Sequence, residues 1–259
     1  MPPTLVGVEG RAVRTDSAPT FRILDRDVTL PVEVRHARAA MATFLVRARV
    51  AQSLLPGDEL EVATTFPGRT PLLVGVIDYE DNDLGDYLEV SILVFVRPRA
   101  QPRGIPVLSD AYRMLRGRLG TYILALPVDQ EFTCEAGRRI WGFPKTVERI
   151  SLDRRDGEVV GRLEMDGRHV LTLSVRTGGA RTLRSQTITT YTHLDGVLHR
   201  TEATQAGTGV GIRAGGARIE LGDHPLADSL RSAGLPKRPL MSMWFEHFSG
   251  TFGPAVPVD

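Results

Sequence analysis

Cysteine is almost missing from this 259-residue chain: Cys134 is the only one. That excludes an intramolecular disulfide framework and cysteine-rich zinc sites. An excess of one charge is missing as well. Lys+Arg number 32 against 31 Asp+Glu, a net charge of +1, so there is no electrostatic footprint for nucleic acid or for an anionic membrane surface. No apolar run approaches the ~18–20 residues of a membrane span. The opening MPPTLVGVEGRAVRTD has no basic stretch leading into an apolar core, so no secretory leader is expected, and the default is a cytoplasmic protein. Metal-ligand spacings are absent too. The six histidines, His36, His169, His193, His199, His224 and His247, form neither His-x-His nor His-Glu-x-x-His, so no metal is expected. There is no Gly-x-Ser-x-Gly elbow for a serine hydrolase. Gly207-Thr208-Gly209-Val210-Gly211 lacks the Lys-Ser/Thr of a phosphate loop and reads better as a strand bend.

Lysine is the scarcest charged residue. Of the 32 basic residues only Lys145 and Lys237 are lysines; the other 30 are arginines. A guanidinium stays charged and is no nucleophile, whereas burial without a counter-charge can make a lysine amine neutral. Lys145 ends the run Glu131-Phe-Thr-Cys-Glu-Ala-Gly-Arg-Arg-Ile-Trp-Gly-Phe-Pro-Lys. Ile140, Trp141 and Phe143 place apolar bulk beside it, and Gly142 and Pro144 constrain the backbone before it. An amine held there meets the requirement for a nucleophile; the bland alternative is a lysine that snorkels to solvent.

What the chain has in quantity is strand pattern. β-Branched or alternating runs cover 42–48, 59–66, 72–79, 87–96 and 121–128, with turn residues at Pro56-Gly57 and 81–85. Shorter strands follow at 147–152, 158–165 and 169–176, joined by Asp156-Gly157 and Asp166-Gly167. A long hairpin, 185–194 with 197–206, turns at Asp195-Gly196, and 217–221 is a possible edge. Helix is scarce: one or two turns at 50–55, a weak candidate at 110–119 with Ser109 or Asp110 as N-cap, and a better one at 225–233 behind Asp223. Residues 239–248 are ambiguous between helix and strand. The expected fold is mainly β with a few helices (α+β): an antiparallel, curved or closed β-barrel-like sheet enclosing a small-molecule cavity. Residues 1–20 read as a loosely ordered N-terminal arm and 21–259 as a single domain.

The run GRRIWGFPK resembles the signature of the acetoacetate decarboxylase family, a Gly-Arg-Glu stretch followed by aromatic-Pro-Lys. Glu131, six residues before Gly137, matches the family spacing, and Asp86-Tyr87-Leu88-Glu89 resembles its Tyr-x-Glu. Asp223-His224-Pro225-Leu226-Ala227 and Leu235-Pro236 resemble its closing segment. The resemblance implies a Schiff-base-forming lyase that acts on a small keto acid through an iminium on Lys145, by decarboxylation of a β-keto acid such as acetoacetate. Glu89 is then the acid/base residue, Arg38 or Arg35 holds the substrate carboxylate, and Phe143 and Trp141 line the substrate. It implies no cofactor, no nucleic-acid or membrane partner, and a homo-oligomer with exposed strands and residues 240–248 as contact surfaces.

Two departures from the family pattern stand out. Thr146 occupies the place of a second lysine, and counting thirteen residues back from Tyr87 to a further carboxylate reaches Val74. Altered Schiff-base chemistry (aldol condensation with dehydration, or cyclisation) is therefore an alternative, and a non-catalytic small-molecule-binding barrel is another.

Overall fold

The computed structural model describes residues 18–100, 105 and 107–258. The first 17 positions of the expected N-terminal arm thus lie outside the described residues, and Thr20 already belongs to a strand. Strands β1 (Thr20–Ile23) and β2 (Arg26–Thr29) form a hairpin whose Ile23 and Val28 are buried.

Seven strands close a barrel. Around the ring they run β6 (Tyr87–Pro98), β5 (Arg69–Asn82), β3 (Val32–Arg47), β14 (Met241–Pro257), β12 (Val197–Ala214), β11 (Arg181–Leu194) and β7 (Gly120–Ala125), which returns to β6. Every pairing is antiparallel except β7 with β11. Closure leaves no long open edge, which an open sheet of this length would have to protect. β4 (Leu60–Val62) adds to the C-terminal end of β6. A separate four-stranded sheet, β13 (Ala217–Leu221), β10 (Arg168–Arg176), β9 (Glu158–Met165) and β8 (Arg149–Arg155), packs on the outside of the barrel.

Alternation along the strands divides the core in two. On the outer face Phe44, Val74, Val76, Val90 and Ile92 meet Val159, Leu163, Leu171 and Leu173 of the covering sheet. The contact is close enough that a Cβ on Gly161 would stand 2.6 Å from Val76 Cγ2. On the inner face Ala37, Ala39, Ile77, Tyr79, Tyr87, Phe245 and Phe248 cluster with helix α3 (Glu131–Trp141). The other helices are α1 (Ala48–Gln52), α2 (Leu108–Leu115) and α4 (Pro225–Ser232). No described helix is long and apolar enough to cross a membrane.

Several expectations need correction. β3 extends ten residues upstream of position 42, because the arginines and histidine that break the apolar pattern there fall on outward or end positions. The stretch 239–248, ambiguous between helix and strand, is strand from Met241 onward. Met241–Pro257 is a barrel strand paired on both sides, with Trp244, Phe245 and Phe248 buried. The apolar pattern predicts no element for Glu131–Trp141, which is helix α3. α4 is capped by His224 rather than Asp223: the imidazole accepts from the Leu226 N–H at 3.1 Å.

Candidate active site

Lys145 reaches the barrel interior through the way α3 ends. Gly142 takes the left-handed conformation (φ 65°) that stops the helix. Only glycine fits, since a Cβ there would lie 2.5 Å from the His193 carbonyl oxygen. The chain then doubles back, with the Phe143 N–H donating to the Gly137 carbonyl at 3.1 Å and the Lys145 N–H to the Phe143 carbonyl at 2.7 Å. Two steps of backbone pairing link this segment to β6: Val147 bridges Val128, and Val128 bridges Glu89. The Val128 N–H donates to Thr146 O, and the Val90 N–H to Pro127 O.

The lysine side chain crosses α3 at Gly137. A Cβ added to Gly137 would stand 2.5 Å from Lys145 Cδ and 2.8 Å from Cε. Beyond that crossing, Nζ lies 2.9 Å from Glu89 Oε2, with side-chain exposures of 3% for the lysine and 7% for the glutamate. The amine is buried, as expected, but with a counter-charge, which corrects the picture of an unpartnered amine in an apolar pocket. Ammonium with carboxylate, and amine with carboxylic acid, are both neutral overall, so the pair can exchange a proton without changing the buried net charge.

Two tyrosines complete the surroundings. The Tyr87 ring lies 5.0 Å from Nζ and stacks on Tyr79 at 4.4 Å. The Tyr79 hydroxyl donates to Glu89 Oε1 at 3.4 Å. Burial pushes both phenols well above their usual pKa of 10; the Glu89 charge adds to this for Tyr79, and Tyr79 and then Glu89 add to it for Tyr87. Both therefore stay protonated as hydrogen-bond donors. Burial also pushes the Cys134 thiol up, against the pull of Arg138 and Lys145.

The register separates the remaining site candidates. Ala39, Ile77 and Glu89 are directly paired neighbours and share the inner face; Arg38, Asp78 and Leu88 form the next row, on the outer face. Arg38 there pairs with Glu80 and, at 3.3 Å, with Glu246. Arg35 is tied to Asp83 at 2.6 Å and Asp81 at 2.8 Å. Neither guanidinium is brought to the lysine. Trp141 Nε1 donates to the Gly253 carbonyl at 2.7 Å and its ring stacks on Phe143 at 5.4 Å, so both aromatics are fixed in the inner core. Val74 pairs with Ile92 on the outer face, whereas the inner positions of β5 flanking Glu89 are Gly75, Ile77 and Tyr79, none a carboxylate. Tyr79 escapes the motif. The signal for it is the hairpin symmetry about Asp83, which sets Tyr79 opposite Tyr87 and Ile77 opposite Glu89.

The family model for acetoacetate decarboxylase (ADC) matches residues 22–255. No curated protein matches the chain in sequence. Among solved structures, acetoacetate decarboxylase from Legionella pneumophila subsp. pneumophila str. Philadelphia 1 is 19% identical, with 99% of this chain and 98% of that one covered and a TM-score of 0.65. An acetoacetate decarboxylase-like enzyme from Sphingomonas wittichii RW1 is 19% identical over 90% of this chain and 94% of its own, at TM-score 0.58. The enduracididine biosynthesis enzyme MppR, in complex with pyruvate, is 15% identical over 88% and 90%, at TM-score 0.60. At these identities the likeness is one of fold.

Proposed function

The chain belongs to the acetoacetate decarboxylase family, and on that premise we propose that Lys145 is a Schiff-base lysine that decarboxylates a small β-keto acid such as acetoacetate. The observation that carries this reading is the Nζ–Oε2 contact of 2.9 Å in a water-excluded interior. A proton passes from the ammonium to Glu89, and the free amine attacks the ketone. Glu89 returns that proton to the departing hydroxyl, so water leaves and an iminium forms, with Glu89 again a carboxylate. The bond from the α carbon to the carboxylate carbon then breaks, its electron pair neutralises the iminium nitrogen, and CO2 and an enamine result. Protonation of the enamine carbon and hydrolysis release the ketone and restore the ammonium.

The uncharged inner wall bears on the reaction. The rows of β3 and β5 beside the pair are Ala37, Ala39, Met41, Gly75, Ile77 and Tyr79. A substrate carboxylate held against these rows meets no guanidinium from them and is a second negative charge beside Glu89; its departure as CO2 relieves that charge.

The same observation favours a second reading, aldol or dehydration chemistry. An uncharged carbonyl compound would leave the iminium balanced by Glu89 alone. The test is borohydride reduction of the protein with acetoacetate, or with pyruvate and an aldehyde, followed by mass spectrometry of the Lys145 peptide and product analysis. An isopropyl group on Lys145 together with CO2 release is expected. An aldol or dehydrated product would replace the first reading by the second. No adduct with any keto acid or aldehyde, or an adduct that survives Lys145→Arg, would sink both readings and leave a binding barrel.

A further inference from the structure

A keto acid on Lys145 brings a carboxylate that needs hydrogen-bond donors, and the β3 and β5 rows beside the Lys145–Glu89 pair offer no guanidinium. Helix α3 also borders the pair. Its approach is tied to the strand that carries Glu89: the Asp129 N–H donates to the Leu88 carbonyl at 3.2 Å, and the Asp129 carboxylate accepts from the Leu88 N–H at 2.8 Å. The helix thus starts beside the residue that precedes Glu89. Its second turn meets the lysine chain at Gly137, where an added Cβ would lie 2.8 Å from Lys145 Cε.

Thr133 lies between these two contacts along the chain. It precedes Gly137 by four residues, so the two share a face of the helix, with Cβ positions roughly 6 Å apart. That face is buried, and Thr133 is 1% exposed. Its Oγ1 is shut off from solvent and has no hydrogen-bond partner among the described residues. A buried hydroxyl left unpaired costs stability, so its retention calls for a use. Thr133 also belongs to the first turn, whose N–H groups have no carbonyl within the helix to pair with. The N-cap, Gln130, makes no side-chain hydrogen bond to them. Glu131, the acid of that turn, is exposed and lies roughly 200° around the helix from Thr133. The buried side of this helix end therefore presents a free hydroxyl together with the positive end of the helix dipole.

We infer that Thr133 is a substrate-binding residue whose hydroxyl donates to the carboxylate of the keto acid held on Lys145. The hydroxyl alone would serve a carbonyl oxygen as well; the helix end beside it favours the anion. Neither donor carries a full charge. When the carboxylate leaves as CO2, a neutral hydrogen bond is given up and no buried guanidinium is stranded without its partner. The inference rests on the Lys145 Schiff base proposed above.

Acetoacetate and acetone separate the two ideas, since both can condense with Lys145 and only acetoacetate carries a carboxylate. The half-saturating concentration of each is read from borohydride trapping with mass spectrometry of the Lys145 peptide. Thr133→Val removes the hydroxyl and keeps the branched shape; Thr133→Ala removes it in a second way and serves if valine impairs folding. In either variant the value for acetoacetate should rise about tenfold or more, the scale of a hydrogen bond to a charged group, while that for acetone stays within about twofold of wild type. Thr133→Ser, which keeps the hydroxyl, should hold both values near wild type. A merely structural hydroxyl would leave both ketones unmoved, and a residue that only places the lysine would shift both together. Either result would overturn the role of Thr133 and leave the Schiff base standing. Absence of a wild-type adduct with either ketone would overturn the Schiff-base reading and this inference with it.

Discussion

The crossing of Lys145 over Gly137 makes the sharpest prediction. In Gly137→Ala the new methyl would stand 2.5 Å from Cδ and 2.8 Å from Cε, inside any real contact, so one side must move. α3 cannot yield easily: its Ala136, Ile140 and Trp141 are buried in the inner core. The lysine yields instead, and its amine leaves Glu89. Replacing a helical glycine by alanine gains about 1 kcal/mol of propensity. Breaking a buried pair by displacing one partner costs about 3–5 kcal/mol. The net is a destabilisation of roughly 2–4 kcal/mol, or a drop in melting temperature of roughly 5–15 °C for a chain of this size. Adduct formation should slow more than that suggests, on the order of 10²-fold, because a displacement of about 1 Å at a reacting atom has that effect. Differential scanning calorimetry and borohydride trapping measure the two quantities on the same preparation. Arg139→Ala serves as the control on the same helix; it loses only its exposed pair with Glu135, worth about 0.3–0.5 kcal/mol. A Gly137→Ala protein that melts higher than wild type and traps substrate at the wild-type rate would refute the argument that this glycine sets the path of the amine.

Lys145→Met strands the Glu89 charge and should cost about 3–5 kcal/mol in urea unfolding, whereas the double variant Lys145→Met/Glu89→Leu should recover most of it. Arg38→Ala should leave KM for acetoacetate unchanged, since the guanidinium lies on the opposite face of the sheet from Glu89. A rise of about tenfold or more, the worth of a charged hydrogen bond to substrate, would return Arg38 to the site. Gly142→Ala forces a side chain into a left-handed turn against the His193 carbonyl and should lower stability by about 1–3 kcal/mol, with loss of trapping. Burial, Arg38 and His247 hold the His36 pKa below its ordinary 6.5, so the unfolded chain takes up that proton first. Stability from this group is present above pH 6.5 and is lost as pH falls below it, and His36→Gln should flatten that part of a melting-temperature profile.

Much of this protein can be read along the chain because the information is local. The period-two runs and the Asp-Gly turns mark β9, β10 and β13 almost to the residue. The scarcity of lysine and the run Trp141-Gly142-Phe143-Pro144-Lys145 single out one amine, and the resemblance carried by that run and by Tyr87-Leu88-Glu89 names its partner. Helix α3 is hidden because its glycine and threonine weaken helix propensity and its apolar face shows only against the barrel. The arginines mislead for a related reason. Arg38 is one residue from Ala39, and a single step along a strand moves a side chain to the other face of the sheet.

What remained for the tertiary structure to decide is register and approach. Which residue lies across from Glu89, whether the amine has a counter-ion, and which phenol reaches that carboxylate all depend on contacts between segments ten to sixty residues apart. Composition and period carry the face each residue prefers. Only closure of the barrel determines which faces meet, because hydrogen bonding between strands sets the register that brings distant side chains within reach of one another.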